Sequence, residues 1–271
     1  MSARPSCRPP ALAGLFYPAD ATALARDVGT YLGRSLATPG PVPKALIVPH
    51  AGYLYSGATA ARAYARLTAA RAQVRRVVLL GPAHRLPVRG LALPGVDAFD
   101  TPLGRVPIDT EAAAAAQRLP QVCTRADAHR EEHSLEVQLP FLQTVLDAFA
   151  LLPFAVGAAS AAEVADVLDH LWGGAETLIV VSSDLSHFHD YATAQRLDRD
   201  TTHAILALQA DIAPEQACGA TPINGLLHCA RRRGLRIELL DLCNSGDTAG
   251  DRRSVVGYAA FALTEPHHVR H

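Results

Sequence analysis

LIVVSSDLSH, residues 178–187, decides the fold: four apolar, largely β-branched residues stop abruptly at a polar cluster carrying Asp184 and His187. Three other stretches repeat the pattern. ALIVPHAGY (45–53) ends on His50, VVLLGPAH (77–84) on His84, and IELLDLCNSGD (237–247) on Asp247. Short apolar runs bounded by turn residues are the signature of strands buried on both faces. The carboxyl ends of parallel strands in an open α/β sheet converge on one crevice, where ligands bind. Residues far apart in the chain are therefore expected to share one site.

Working outward, helical and strand patterns alternate. Ala21 to Leu36 has helical spacing, Ala45 to Val48 and Arg76 to Leu80 read as strands, and the Ala-rich ATAARAYARL between them reads as a helix, so a parallel crossover is expected. Arg89 to Pro107, rich in Pro and Gly, reads as irregular strands or a hairpin beside the main sheet. Thr110 to Leu119 and His133 to Phe149 read as helices, Leu151 to Val156 as a strand, and Ser160 as the cap of a helix reaching Trp172. Thr177 to Val181 is a further strand. Helices over 192–208 and 222–233 and strands over 236–240 and 254–262 complete the chain. The expectation is one α/β domain over 1–271, with a mixed to mostly parallel central sheet flanked by helices and loosely held ends at 1–7 and 264–271.

Composition bounds the function. The 271 residues are 49% hydrophobic, enough for a substantial core, and the formal net charge of −1 comes without a basic stripe, so nucleic acid is not an expected partner. No apolar run of membrane-spanning length occurs, and the N-terminal stretch carries no apolar leader core, so a cytoplasmic protein with no membrane contact is expected. The five cysteines are widely spaced and form no C-x-x-C pair, which argues against a disulfide framework or a zinc ribbon. Signatures of P-loops, dinucleotide folds, zincins and serine hydrolases are absent.

The polar clusters carry the chemistry. A single histidine at a strand end is most often a hydrogen-bonded structural residue, but two in equivalent positions, His50 and His84, point to a metal, since imidazole is the commonest metal ligand. His187 lies three residues beyond Asp184 and reads as an acid/base, with Asp184 orienting it, binding metal or capping a following helical turn. In EEHSLEVQLPFL (131–142), Glu132, His133 and Glu136 share one face of a helix; His133 and Glu136 are candidate catalytic side chains, or the acids simply favour the helix start.

The ordered set RPPALAGLFYPAD, PHAGYLYSG, GPAH, EEHSLEVQLPFL, SSDLSH, NSGDTAGD and VVGYAAFAL, from about Arg8 to Leu263, closely resembles the Memo family, including the proteins called AmmeMemoRadiSam system protein B. The resemblance implies a fold like that of class III extradiol dioxygenases, whose non-haem iron is held by two histidines and a glutamate, with another histidine as acid/base. It matches His50 and His84 to metal-binding histidines, and Asp184 and His187 to the pocket's Asp and His. Eukaryotic relatives complete a copper or iron site with a cysteine shortly after a Ser-Ser pair. Here that position falls on Asp247 or Thr248, with Cys243 a few residues earlier. Asp247 as third ligand would make a two-His, one-carboxylate site suited to Fe(II) more than Cu(I); if it only makes the Ser-Gly-Asp turn, the position falls to Asp184, Cys243 or water. Three functions are implied: a metal-dependent, dioxygenase-like oxidoreductase; a metal-binding or redox protein without that reaction; and a non-catalytic pocket for an anionic peptide or small acid. The family name also implies radical-SAM and AmmeMemoRadiSam protein A partners.

Overall fold

The computed structural model of the chain describes residues 6–35 and 40–266. In chain order the elements are β1 (Cys7–Arg8), α1 (Ala21–Ser35), β2 (Ala45–Val48), α2 (Tyr53–Tyr64), β3 (Arg76–Pro82), β4 (Leu91–Leu93), β5 (Ala98–Thr101), β6 (Gly104–Pro107), α3 (Thr110–Ala116) and β7 (Val122–Thr124). There follow α4 (Ala126–Arg130), α5 (His133–Glu136), α6 (Leu139–Val145), β8 (Ala150–Val156), α7 (Ala161–Leu171), β9 (Thr177–Ser182), β10 (His187–His189), α8 (Tyr191–Leu206), α9 (Ala220–Arg233), β11 (Arg236–Asn244) and β12 (Val255–Thr264). Leu36 and the outermost terminal residues, on which some of the sequence expectations fall, lie outside the described residues. Cys7 and Thr264, expected in loose ends, are strand residues: Cys7 pairs with Ala98, and Thr264 with Arg236.

Nine strands form the central sheet, in the order β10-β12-β2-β9-β3-β8-β4-β7, with β11 also on β12. The sheet is mixed. β2, β9, β3 and β8 run parallel, while β12 lies antiparallel to β2, and β4 antiparallel to β8. β2 and β3 are parallel as their order suggests, yet β9, more than a hundred residues further on, inserts between them. Burial alternates along each parallel strand. Leu46, Val48, Val77, Leu79 and Val180 pack on the face covered by α1, α2 and α6, whereas Ala45, Ile47, Val78, Leu80 and Val181 pack on the face covered by α7 and α9. Each fully buried Val, Leu or Ile contributes roughly 1.5–3 kcal/mol, and burial on both faces explains why these strands lack polar alternation. The Pro/Gly-rich stretch supplies both β4 within the main sheet and the antiparallel β5–β6 hairpin of a separate small sheet.

Two local readings are corrected. The helix expected over 133–149 is two short helices. Pro140 cannot donate to the Glu136 carbonyl and its ring restricts Leu139, so the chain restarts there as α6, with Pro140 in the first turn. Asp184 caps no helix, because the residues after it pass into β10, and the next helix, α8, is capped by Asp190. Ser160 does cap α7, in a reciprocal capping box with Glu163.

Candidate metal centre

The parallel strands deliver their polar clusters to one end of the sheet. β2 stops at Val48 and β3 at Pro82, each two residues before its histidine, and β9 stops at Ser182, two before Asp184. α5 is then pressed onto the end of β3: Ser134 Oγ donates to the Pro82 carbonyl, and a Cβ at Gly81 would stand 2.6 Å from that hydroxyl oxygen. Only glycine permits this approach, which carries His133 in beside the other two histidines. His50, His84 and His133 each offer one ligand atom, and these atoms lie within 4.8 Å of one another. The ring centroids are 5.2 Å apart for His50 and His84, 5.2 Å for His50 and His133, and 4.6 Å for His84 and His133.

Hydrogen bonding fixes which nitrogens are free. His50 Nδ1 lies 2.9 Å from Ser182 Oγ, whose single proton is spent on the Ser134 carbonyl 2.6 Å away. Ser182 also accepts from Gln138 Nε2 at 2.8 Å, and that nitrogen is oriented by its donation to the Pro49 carbonyl. Ser182 has no proton left to give, so His50 Nδ1 must donate, leaving the Nε2 lone pair available. His84 Nδ1 lies 2.9 Å from Glu132 Oε1 and its backbone N–H 2.7 Å from Oε2. A carboxylate only accepts, so His84 too carries its proton on Nδ1 and keeps Nε2 free. Hydrogen-bonded Nδ1 with a free Nε2 is how metal-binding histidines are ordinarily oriented, the carboxylate partner raising ligand basicity. His133 Nδ1 is buried with no hydrogen-bond partner.

Burial keeps His50 and His133 neutral, the state that ligation requires. Burial, with the neighbouring His133 and His84 adding to it, holds His50 well below the ordinary imidazole range. Burial likewise brings His133 down to about 4. For Glu132, burial alone would raise the carboxyl, but hydrogen bonds from His84 and the Ser134 backbone outweigh it and hold the pKa at about 2. Asp184 behaves oppositely. Its burial raises it to about 7 against the hydrogen bond from the His50 backbone N–H, which reaches Oδ1 at 2.7 Å. This bond fixes the loop that presents His50. His187, at the start of β10, is half-buried, and burial lowers its pKa. Phe188 beside it holds φ at 63° and is 77% exposed.

Two expected site residues are placed elsewhere. Asp247 is outside the histidine group: one oxygen accepts from the Tyr191 hydroxyl at 2.5 Å and the other from the Asn244 backbone at 3.0 Å, closing the Ser-Gly-Asp turn. The turn was the alternative open to this motif, and His133, not an aspartate, stands beside His50 and His84. Glu136 is fully buried, and its carboxylate accepts from Arg8 Nη1 at 2.6 Å, the Ala11 and Leu12 backbone at 2.9 and 2.8 Å, and the Tyr17 hydroxyl at 2.5 Å. It anchors the N-terminal segment whose Phe16 ring packs 5.1 Å from His133. Glu132 and Glu136 therefore do different work, since Glu132 is the N-cap of a helix only four residues long and turns toward His84.

Sequence reasoning missed the supporting roles of Ser182, Glu132 and Gln138, and gave Cys218 no place. Cys218 Sγ lies 3.3 Å from His50 Nε2. Its one local signal is a position just before Gly219, the N-cap of α9.

Fold and site together define a class: an α/β protein with a mixed sheet and a three-histidine group able to hold a metal at the ends of its parallel strands. Comparison with known proteins gives the family. Residues 8–262 match the family described as Memo-like protein, and the chain belongs to it. It is 35% identical to a MEMO1 family protein of Archaeoglobus fulgidus over 94% of this chain and 99% of the relative. It is also 35% identical to one of Aquifex aeolicus, over 93% and 97% respectively. The fold is similar to that of uncharacterized protein JW3007 from Escherichia coli K12, with a TM-score of 0.54 at 15% identity, covering 80% of this chain and 98% of that one. Among the described residues no helix is long and apolar enough to cross a membrane.

Proposed function

We propose that the chain is a metal-dependent oxidoreductase of dioxygenase-like character, in which His50, His84 and His133 hold one Fe(II) or Cu ion and His187 acts as the acid/base. The observation carrying this reading is the meeting of three imidazoles, two with Nδ1 committed to a hydrogen bond so that the lone pair is left on Nε2. Imidazole sets suit Fe, Cu, Ni and Zn, whereas Mg and Ca prefer oxygen ligands. When bound, such an ion supplies Lewis acidity toward an anionic oxygen, and Fe or Cu adds redox capacity. The chain's own residues do the rest. Glu132 and Ser182 hold the imidazoles in the ligating tautomer, Asp184 fixes the His50 backbone, and the His187 imidazole, held neutral by burial, takes or returns a proton. The same centre can anchor a small acid or anionic peptide without turnover, a reading that oxygen-consumption assays with catechols and related acids separate from the first.

The test is elemental analysis of protein purified anaerobically without an affinity tag, beside His50→Ala/His84→Ala and His133→Ala. Near-stoichiometric metal in the wild type, lost in the variants with far-UV circular dichroism unchanged, is expected. Equal metal uptake by wild type and double variant would overturn the site.

A further inference from the structure

We propose that Asp198 is a positioning residue for His187, acting through the single peptide unit that joins Leu185 to Ser186, an inference that rests on the acid/base reading of His187 and deepens it. Asp198 lies midway along α8, buried at 2% exposure, and its Oδ1 accepts from the Ser186 backbone N–H at 3.0 Å. The carbonyl of that same peptide unit belongs to Leu185, and backbone hydrogen bonding with Leu185 favours the protonated His187 ring against its burial. Only an acceptor has that effect on an imidazole, so the Leu185 carbonyl faces a ring nitrogen. The path runs from carboxylate to N–H, across one rigid peptide plane, and from C=O to imidazole.

The surrounding fold holds this unit still. Leu185 N–H donates to the Gly257 carbonyl at 2.8 Å and Gly257 N–H to the Ser186 carbonyl at 2.9 Å, so β12 grips the chain on either side of the bridging plane. His187 then pairs with Val256 before a break in register. Gly257 also lets α8 come down on β12, since a Cβ there would collide with the Asp198 carboxylate. Burying a carboxylate is costly, and a neutral side chain would serve the Ser186 N–H equally if support were the only task. A negative acceptor on the N–H polarises the peptide group and strengthens its carbonyl as an acceptor. Two effects on His187 follow. In the neutral ring the nitrogen facing Leu185 keeps the proton, which leaves the other nitrogen's lone pair for a substrate, and the imidazolium formed on proton uptake is stabilised. Of the groups around the pair, His84 lowers the pKa of His187 and His189 lowers that of Asp198, while Arg199 and Asp247 line the cavity that Asp198 borders.

A side chain that merely braces α8 would leave the His187 ring unchanged, and NMR of the imidazoles separates the two cases. Full-length protein carrying ring-labelled histidine, with no metal added, is titrated from about pH 8.5 to about 4.5, His187 being assigned by the signal missing from His187→Gln. One dominant neutral tautomer is expected in the wild type. Asp198→Ala should mix the tautomers and lower the His187 midpoint by about 0.5–1 unit, with the midpoint of His170 on α7 and Zn(II) uptake at neutral pH unchanged. Asp198→Asn keeps an oxygen for the Ser186 N–H but not the charge. It should hold the tautomer and lower the midpoint by a smaller amount, and it keeps the proposal testable if Asp198→Ala does not fold. A His187 midpoint unchanged in either variant would overturn the positioning role alone. A His187 ring that takes up no proton across the range would overturn its acid/base role and this inference with it.

Discussion

Replacing Arg8 with Met tests whether the Glu136 cluster is an anchor or part of the reaction. The methionine stem keeps much of the arginine's packing but removes four donations: to Glu136 Oε2 at 2.6 Å, to the His129 carbonyl at 2.5 Å, to the Glu132 carbonyl at 2.9 Å and, at 3.5 Å, to the Pro9 carbonyl. Arg8 is 5% exposed and Glu136 0%, so water cannot replace what is lost. Breaking a buried ion pair from one side costs about 3–5 kcal/mol. The Ala11, Leu12 and Tyr17 donors still serve the carboxylate, so the lower end, about 3 kcal/mol, is expected. Glu136→Gln is worked the same way. Its amide oxygen is best kept toward Arg8 and Ala11, which sets the NH₂ against the Leu12 N–H, while the Tyr17 hydroxyl can turn to accept. One unpaired buried donor and one weakened ion pair give about 2–4 kcal/mol. Urea unfolding followed by circular dichroism measures both as shifts in midpoint at unchanged m-value. Arg8→Met/Glu136→Leu should cost clearly less than the two single changes summed, because neither charge is then stranded. A loss below about 1 kcal/mol for Arg8→Met would refute the anchoring argument. Glu136→Gln with native stability but no turnover would return Glu136 to a catalytic role.

Two further outcomes are expected. Glu132→Gln keeps a neutral acceptor for only part of what Glu132 now binds, and should weaken metal affinity about 10–100-fold in a chelator-competition assay; affinity within twofold of wild type would contradict the proposed orientation of His84. His129 is buried, its Nε2 lies 2.7 Å from the Ala92 carbonyl, and burial lowers its pKa from 6.5 to about 4. A depressed folded-state pKa means the unfolded chain binds the proton first, so the contribution is complete above about pH 6.5 and is lost as pH falls through about 4, on the order of 3 kcal/mol. His129→Gln, whose amide can still donate to Ala92, should flatten the pH dependence of urea stability in that window; an unaltered profile would count against the assignment.

The strands were legible because burial on both faces writes an uninterrupted apolar run into the chain. Ala45–Val48 is read from the sequence as it stands in the structure, and the strands at 76 and 177 differ only at their ends. The same rule placed His50, His84 and Asp184 just past strand ends. Distances and proton positions were another matter. Nothing near His84 in sequence says that Glu132 will orient it, since that contact depends on α5 docking against Gly81. Nor does the sequence separate the fates of Glu132 and Glu136, which a continuous helix would set on one face but which the extended N-cap backbone of Glu132 and the docking of the N-terminal segment on Glu136 turn to separate tasks. Sequence by itself determined the α/β class, the parallel core and the arrival of two histidines at one edge, because hydrophobic periodicity is a local property of the chain. Tertiary structure alone decided that His133 and not Asp247 stands beside His50 and His84, that Cys218 reaches His50, and which ring nitrogens are committed to hydrogen bonds, because these follow from strand order, helix docking and hydrogen bonds between segments up to 168 residues apart.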